Sequence, residues 1–200
     1  MPAPIDFYFD FASPYGYIAS QTIDSLAARH ERTVNWHAIV LDANFQSLER
    51  IRIPSSVKRS DYIQQDVRRL ASYSKVPYKA PSSLGLHTEM AARLFYWFND
   101  RDPLQSRDFA QAVFEAYFVE DRNVAQIEVL QDLCSRLQMT ADQLAVLSND
   151  SATRARLKAE IDMAEARGVF GSPFFIVEGE RFWGSDRMPL LEHWLETGGY

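Results

Sequence analysis

Two hundred residues, 46% hydrophobic and 24% charged, suit one globular domain or one core domain carrying an insertion. A formal net charge of −6 argues against nucleic acid or an anionic membrane as a bulk electrostatic partner, and no apolar run approaches the roughly 20 residues of a membrane span. Cys134 is the only cysteine, so an internal disulfide and a cysteine metal cluster are excluded.

The start, Met1-Pro2-Ala3-Pro4, lacks the basic and apolar regions of a secretory signal, and the cytoplasm is the expected compartment. Ile5 to Phe9 alternates apolar with polar or amphipathic residues and predicts a strand. Asp10-Phe11-Ala12-Ser13-Pro14-Tyr15-Gly16-Tyr17 then turns strand into helix, with Ser13 as N-cap and Pro14 in the first helical position. The periodicity of Ile18, Thr22, Ile23, Leu26 and Ala27 extends that helix from Pro14 to about His30. Val34 to Leu41 predicts a second strand parallel to the first, completing a βαβ unit. Asp42 to Ser56 reads as a loop, and Arg50, Arg52, Lys58 and Arg59 make this region locally positive.

From Lys58 the pattern is helical as far as Gly168. Tyr62, Ile63, Val67, Leu70 and Ala71 line a first helix; Leu84, Met90, Ala91, Leu94, Phe95 and Phe98 line a second. Asp102-Pro103 opens a third, Asn123 a fourth that carries Cys134, Thr140 a short fifth, and Ser151 to Arg167 a long last one closed by Gly168. Phe174 to Val177 and Arg181 to Trp183 flank Glu178-Gly179-Glu180 as a β-hairpin. Ser185 or Asp186 caps a final helix through Leu195. The chain is therefore α/β: a thioredoxin-like βαβ…αββα core with a large all-helical insertion. Residues 1–42 and 150–200 form the core, and residues 43–149 the inserted helical domain.

From the residues alone, Ser13 offers a hydroxyl beside unpaired backbone N–H groups, a place that stabilises an anion such as a thiolate; capping alone is the plainer role. His30, His37, His87 and His193 lack the paired spacing of a metal site, so no metal is expected. Cys134 falls on an apolar helical face and reads as an inert core thiol. Gly171-Ser172-Pro173 lacks the spacing of a nucleophile elbow. Phe95, Tyr96, Trp97 and Phe98 read as core, although one or two of these rings, with Tyr15 and Tyr17, are candidates to wall an aromatic substrate's site.

Two motifs, separated by the helical block, carry a resemblance over essentially the whole chain. The first is Asp10 to Tyr17; the second is Gly168-Val169-Phe170-Gly171-Ser172-Pro173-Phe174-Phe175, continuing into Phe182-Trp183-Gly184-Ser185-Asp186-Arg187. Together they resemble the 2-hydroxychromene-2-carboxylate isomerase family and the related kappa-class glutathione transferases. Thioredoxin-fold oxidoreductases carry Cys-x-x-Cys where this chain has Ser13-Pro14-Tyr15-Gly16, so dithiol chemistry from the protein is excluded at this site. The resemblance implies that bound glutathione supplies the sulfur and that Ser13 is the catalytic residue that stabilises its thiolate. It also implies a cis bond at Ser172-Pro173, with the Ser172 backbone against the cysteinyl unit. Ser185 and Asp186 are implied at the γ-glutamyl end, and Asn44 and Lys58 in the remaining contacts. The implied activity is glutathione-dependent isomerisation of a small aromatic substrate by a homodimer. Kappa-like conjugation of electrophiles is one alternative, and a non-catalytic thiol- or peptide-binding relative of disulfide oxidoreductases is another.

Overall fold

β1 (Ile5–Phe9) is an interior strand of a sheet that has four strands among the described residues, parallel to β2 (Val34–Ala38) on one side. On the other it runs antiparallel to β3 (Phe174–Val177), which pairs antiparallel with β4 (Glu180–Trp183). The sheet order is β2-β1-β3-β4. The computed structural model describes residues 2–41 and 57–199, with residues 57–60 described by backbone alone.

Successive β1 side chains point to opposite faces. Phe7 and Phe9 face the larger core, where Phe7 stacks on Phe175 at 5.4 Å and meets Trp36 edge-on at 5.1 Å. Phe9 meets Phe95 of α4 (Glu89–Asn99) and Phe114 of α5 (Pro103–Phe118). Burying each such ring contributes roughly 2 kcal/mol, and this cluster clamps the helices between β2 and β3 in sequence onto the sheet. Tyr8 lies on the opposite face, packed with Ile39, Val169, Phe174 and Ile176, and with Ala164 of α8 (Ser151–Ala166).

The expected helix from Pro14 to His30 is two helices, α1 (Pro14–Ser20) and α2 (Ile23–Arg29). At the break, Gln21 and Thr22 donate to carbonyls three residues back, and Gln111 of α5 donates to Ser20 O at 2.9 Å. The carbonyl that a continuous helix would satisfy locally is satisfied from α5 instead. β2 ends at Ala38 rather than Leu41, because Leu41 N–H turns away to the Asp10 carboxylate. α3 (Val57–Tyr73) buries Val67 and Ala71, but Tyr62 and Ile63, expected on its inner face, are exposed. Leu84 precedes α4 and is also exposed. α6 (Ile127–Arg136) starts after Asn123, whose side chain accepts from Ala125 N–H in a turn of its own.

Thr140 caps α7 (Ala141–Asn149) as expected, and the structure adds a reciprocal box with Gln143. Gly168 closes α8 at φ +80°, with Gly168 N–H on Glu165 O and Val169 N–H on Ala164 O. After β4, a 3₁₀ turn (Ser185–Arg187) leads into α9 (Met188–Thr197). The expected β-α-β start and α-β-β-α finish, with helices between them, are thus both present.

Candidate active site

The site forms where the end of β1 meets the start of β3. Asp10 opens the turn: its carbonyl accepts from Ser13 N–H at 2.9 Å, and its carboxylate accepts from Ala12 N–H at 2.8 Å. The carboxylate also takes the Thr88 hydroxyl at 2.9 Å and Leu41 N–H at 2.8 Å. One buried side chain therefore ties the turn to the end of β2 and to the approach to α4. Ser13 caps α1 as expected, its Oγ accepting from Gly16 N–H at 3.0 Å. With α1 cut to seven residues, little helix dipole stands behind this cap, and the hydroxyl itself is the site's main feature.

That hydroxyl donates to the Ser172 carbonyl at 3.0 Å, while Ser172 Oγ accepts from Asp10 N–H at 2.8 Å. The two serines clasp the helix start to the turn before β3, and the Ser172–Pro173 bond is cis, as the resemblance implied. Gly16 permits this approach. A Cβ on it would lie 2.9 Å from Ser172 Oγ and 3.3 Å from Ser13 Cβ. Beside the turn, Gly171 passes so close under Trp183 that a Cβ would meet the indole nitrogen at 2.2 Å. Trp183 is half-exposed and edge-on to Phe170 at 4.9 Å.

Tyr15 donates to Asp66 of α3 at 2.7 Å, and burial together with that carboxylate holds its phenol well above the usual range. Tyr17 is buried and donates to Pro77 O, with burial and Glu115 pushing its phenol up to about 12. Tyr17 is thus core rather than pocket wall, as are Phe95, Tyr96 and Phe98. The 3₁₀ turn packs against α1, and the Asp186 charge acts on the Tyr15 hydroxyl, so Ser13, Ser172, Tyr15 and the Ser185–Asp186 turn converge. Neither Ser185 nor Asp186 caps α9, contrary to expectation; Arg187 occupies that position without a side-chain capping bond. Asp186 pairs with Arg187 at 2.8 Å. The Ser185 hydroxyl is buried and has no hydrogen-bond partner among the described residues.

Asn44 and the Lys58 side chain lie outside the described residues. Among the described residues no group of His, Cys, Asp and Glu could hold a metal ion. Cys134 is buried away from solvent, which pushes its thiol up to about 12. Sequence reasoning gave no role to Asp10 or Thr88, although an Asp between a strand and a Ser-Pro cap is an Asx-turn signal.

A family model for the DsbA-like thioredoxin domain matches residues 4–196. The chain belongs to this DsbA-like family. The 2-hydroxychromene-2-carboxylate isomerase of Sphingobium xenophagum is 26% identical over 98% of this chain and 99% of that one. A solved 2-hydroxychromene-2-carboxylate isomerase superposes with a TM-score of 0.83 at 25% identity, covering 96% of this chain and 94% of the other. Glutathione S-transferase kappa 2 of Caenorhabditis elegans is 23% identical over 96% of this chain and 91% of its own. The thioredoxin-like core expected from the sequence is therefore the fold of this DsbA-like chain.

Proposed function

We propose that the chain is a glutathione-dependent isomerase of the type that interconverts 2-hydroxychromene-2-carboxylate and trans-o-hydroxybenzylidenepyruvate. The observation that carries this reading is the half-buried Ser13 hydroxyl standing where a redox relative would hold a thiol, in a chain whose single cysteine is sealed elsewhere. The sulfur must then come from outside. The site's residues suit glutathione: among the described residues the buried Ser185 hydroxyl has no partner, and a buried polar group left alone costs roughly 1–3 kcal/mol until a ligand satisfies it.

When bound, glutathione would supply a nucleophilic thiolate whose reversible addition turns a conjugated double bond into one free to rotate. Ser13 donates a hydrogen bond to that sulfur, and bonds to an ionised acceptor are the stronger class. The Ser172 backbone and Pro173 line the cysteinyl unit. Ser185 takes the γ-glutamyl carboxylate and Asp186 its ammonium, with Asn44 and Lys58 completing the grip. A homodimer in the cytoplasm belongs to the same proposal, and light scattering tests the dimer.

Ser13→Ala with saturating glutathione should lower isomerase turnover by at least about tenfold, the loss of one charge-assisted hydrogen bond. Unchanged turnover would remove Ser13 from the mechanism. The kappa-class relative supports a second reading, conjugation of glutathione to electrophiles. Glutathione is consumed in conjugation and conserved in isomerisation, so measuring it against a chloro-dinitrobenzene substrate separates the two.

A further inference from the structure

Among the described residues β2 is an edge strand, and its ladder to β1 fixes which of its backbone groups point outward. Ile5 N–H donates to Thr33 O and Ile39 N–H to Phe9 O, at the two ends of the parallel register. Odd-numbered residues of β2 therefore face β1, and Val34, Trp36 and Ala38 turn their N–H and C=O groups away from the sheet. Side chains from the helices cover two of the outward carbonyls: Val34 O takes the Arg107 guanidinium, and Ala38 O takes the Tyr96 hydroxyl at 2.8 Å. Of the three, only Trp36 keeps both its N–H and its C=O without a partner among the described residues. Yet Trp36 is 5% exposed, and buried backbone groups are ordinarily paired.

A cleft of about 220 Å³ opens on this stretch, lined by the strand from Val34 to His37 and by Asn99, Pro103 and Glu160 opposite. Four consecutive residues whose side chains alternate between the two faces line it, so the edge they share is its floor. We propose that this cleft binds a small neutral molecule through a cis amide, as in a lactam, primary carboxamide or urea, which exchanges two hydrogen bonds with Trp36.

Three features set that class. The charged groups of the cleft are already matched: His37 by Asp6 at 3.4 Å and Glu160 at 3.5 Å, Glu160 also by Arg156, and Arg107 by Asp24 at 3.3 Å. An ion would find no counter-charge to spare, and a neutral ligand displaces none. An extended residue presents its N–H and C=O side by side, so the matching group carries donor and acceptor on one side, as a cis amide does and a trans peptide does not. Arg107 and Tyr96 close the edge on either side of Trp36, and the cleft is smaller than the roughly 300–1,000 Å³ of drug-sized pockets, so there is room for one compact group but not for an added strand. Asn99 supplies a third contact. Its Oδ1 accepts from Ser106 at 3.1 Å, and its NH2, without a partner among the described residues, can donate to the ligand oxygen's second lone pair.

The test titrates the whole isotope-labelled chain with δ-valerolactam, N-methyl-δ-valerolactam and the trans amide N-methylacetamide, following the Trp36 backbone amide and the Asn99 side-chain amide by nuclear magnetic resonance. The lactam should shift both signals saturably. Its N-methyl derivative and the trans amide, each deprived of one of the paired bonds, should bind at least about tenfold more weakly. Asn99→Leu, which fills the cleft, should abolish saturation; if that variant does not fold, the three probes on the unmodified chain decide alone. Saturating glutathione should leave the lactam shifts in place. Equal affinity for the three probes, a Trp36 amide that does not move, or a lactam displaced by glutathione would each overturn the proposal.

Discussion

Replacing Asp10 with Asn isolates the side chain on which the site's geometry depends. Asp10 is 5% exposed, and its carboxylate takes Ala12 N–H, Leu41 N–H and the Thr88 hydroxyl among the described residues. Asparagine can keep Ala12 N–H and the Thr88 hydroxyl on its oxygen, but it sets an NH2 group against Leu41 N–H. Losing one hydrogen bond to a charged acceptor costs about 1.5–3 kcal/mol. Removing the charge weakens the other two bonds by about 1 kcal/mol together. Against this, an amide is easier to bury than a carboxylate, by about 1–2 kcal/mol. The net expectation is a destabilisation of about 2 kcal/mol, in a range of about 0.5–3, read as a fall in the urea midpoint at constant slope. Thr88→Val removes one donor while keeping the shape, and should cost only about 1 kcal/mol. An Asp10→Asn protein within about 0.5 kcal/mol of the unmodified chain would refute the view that this carboxylate organises the turn.

Ser185→Ala should leave the free protein as stable as before or up to about 1 kcal/mol more stable, because it removes a buried hydroxyl that has no partner. The same variant should bind glutathione about tenfold more weakly by calorimetry. His37 contacts Asp6 at 3.4 Å and Glu160 at 3.5 Å; burial opposes its protonation, but hydrogen bonds to the two carboxylates prevail and raise its pKa. Its contribution to stability is therefore fully present below about 6.5 and is lost as pH rises through the raised folded value. The melting-temperature advantage over His37→Gln should shrink across that range. Asp6 and Glu160 are held low by these same partners and by Arg167 and Arg156, against the opposing effect of burial, so their contribution is lost as pH falls below about 4. Finally, Cys134 should resist alkylation at mildly alkaline pH until urea unfolds the chain, since burial pushes its thiol up to about 12.

The parts of the fold that were legible in the sequence are those written locally. The aromatic alternation of β1, the Ser13-Pro14 start, the Thr140 cap and the Gly168 stop each need only a few neighbouring residues. What local pattern could not supply is contact made across the chain. The break after Ser20 depends on Gln111, and the anchoring of Asp10 on Thr88 spans 78 residues. The α9 start is a related case. Serine and Asp before an apolar run have the composition of a cap, yet a 3₁₀ turn intervenes and, among the described residues, the buried Ser185 hydroxyl has no hydrogen-bond partner.

Ser13 and Ser172 are separated by 159 positions, and the strand that carries the second into place joins its neighbour only after every intervening helix has been synthesised. During translation the two serines therefore cannot meet until that strand has been made. The clasp between them closes in one step, with the last quarter of the chain.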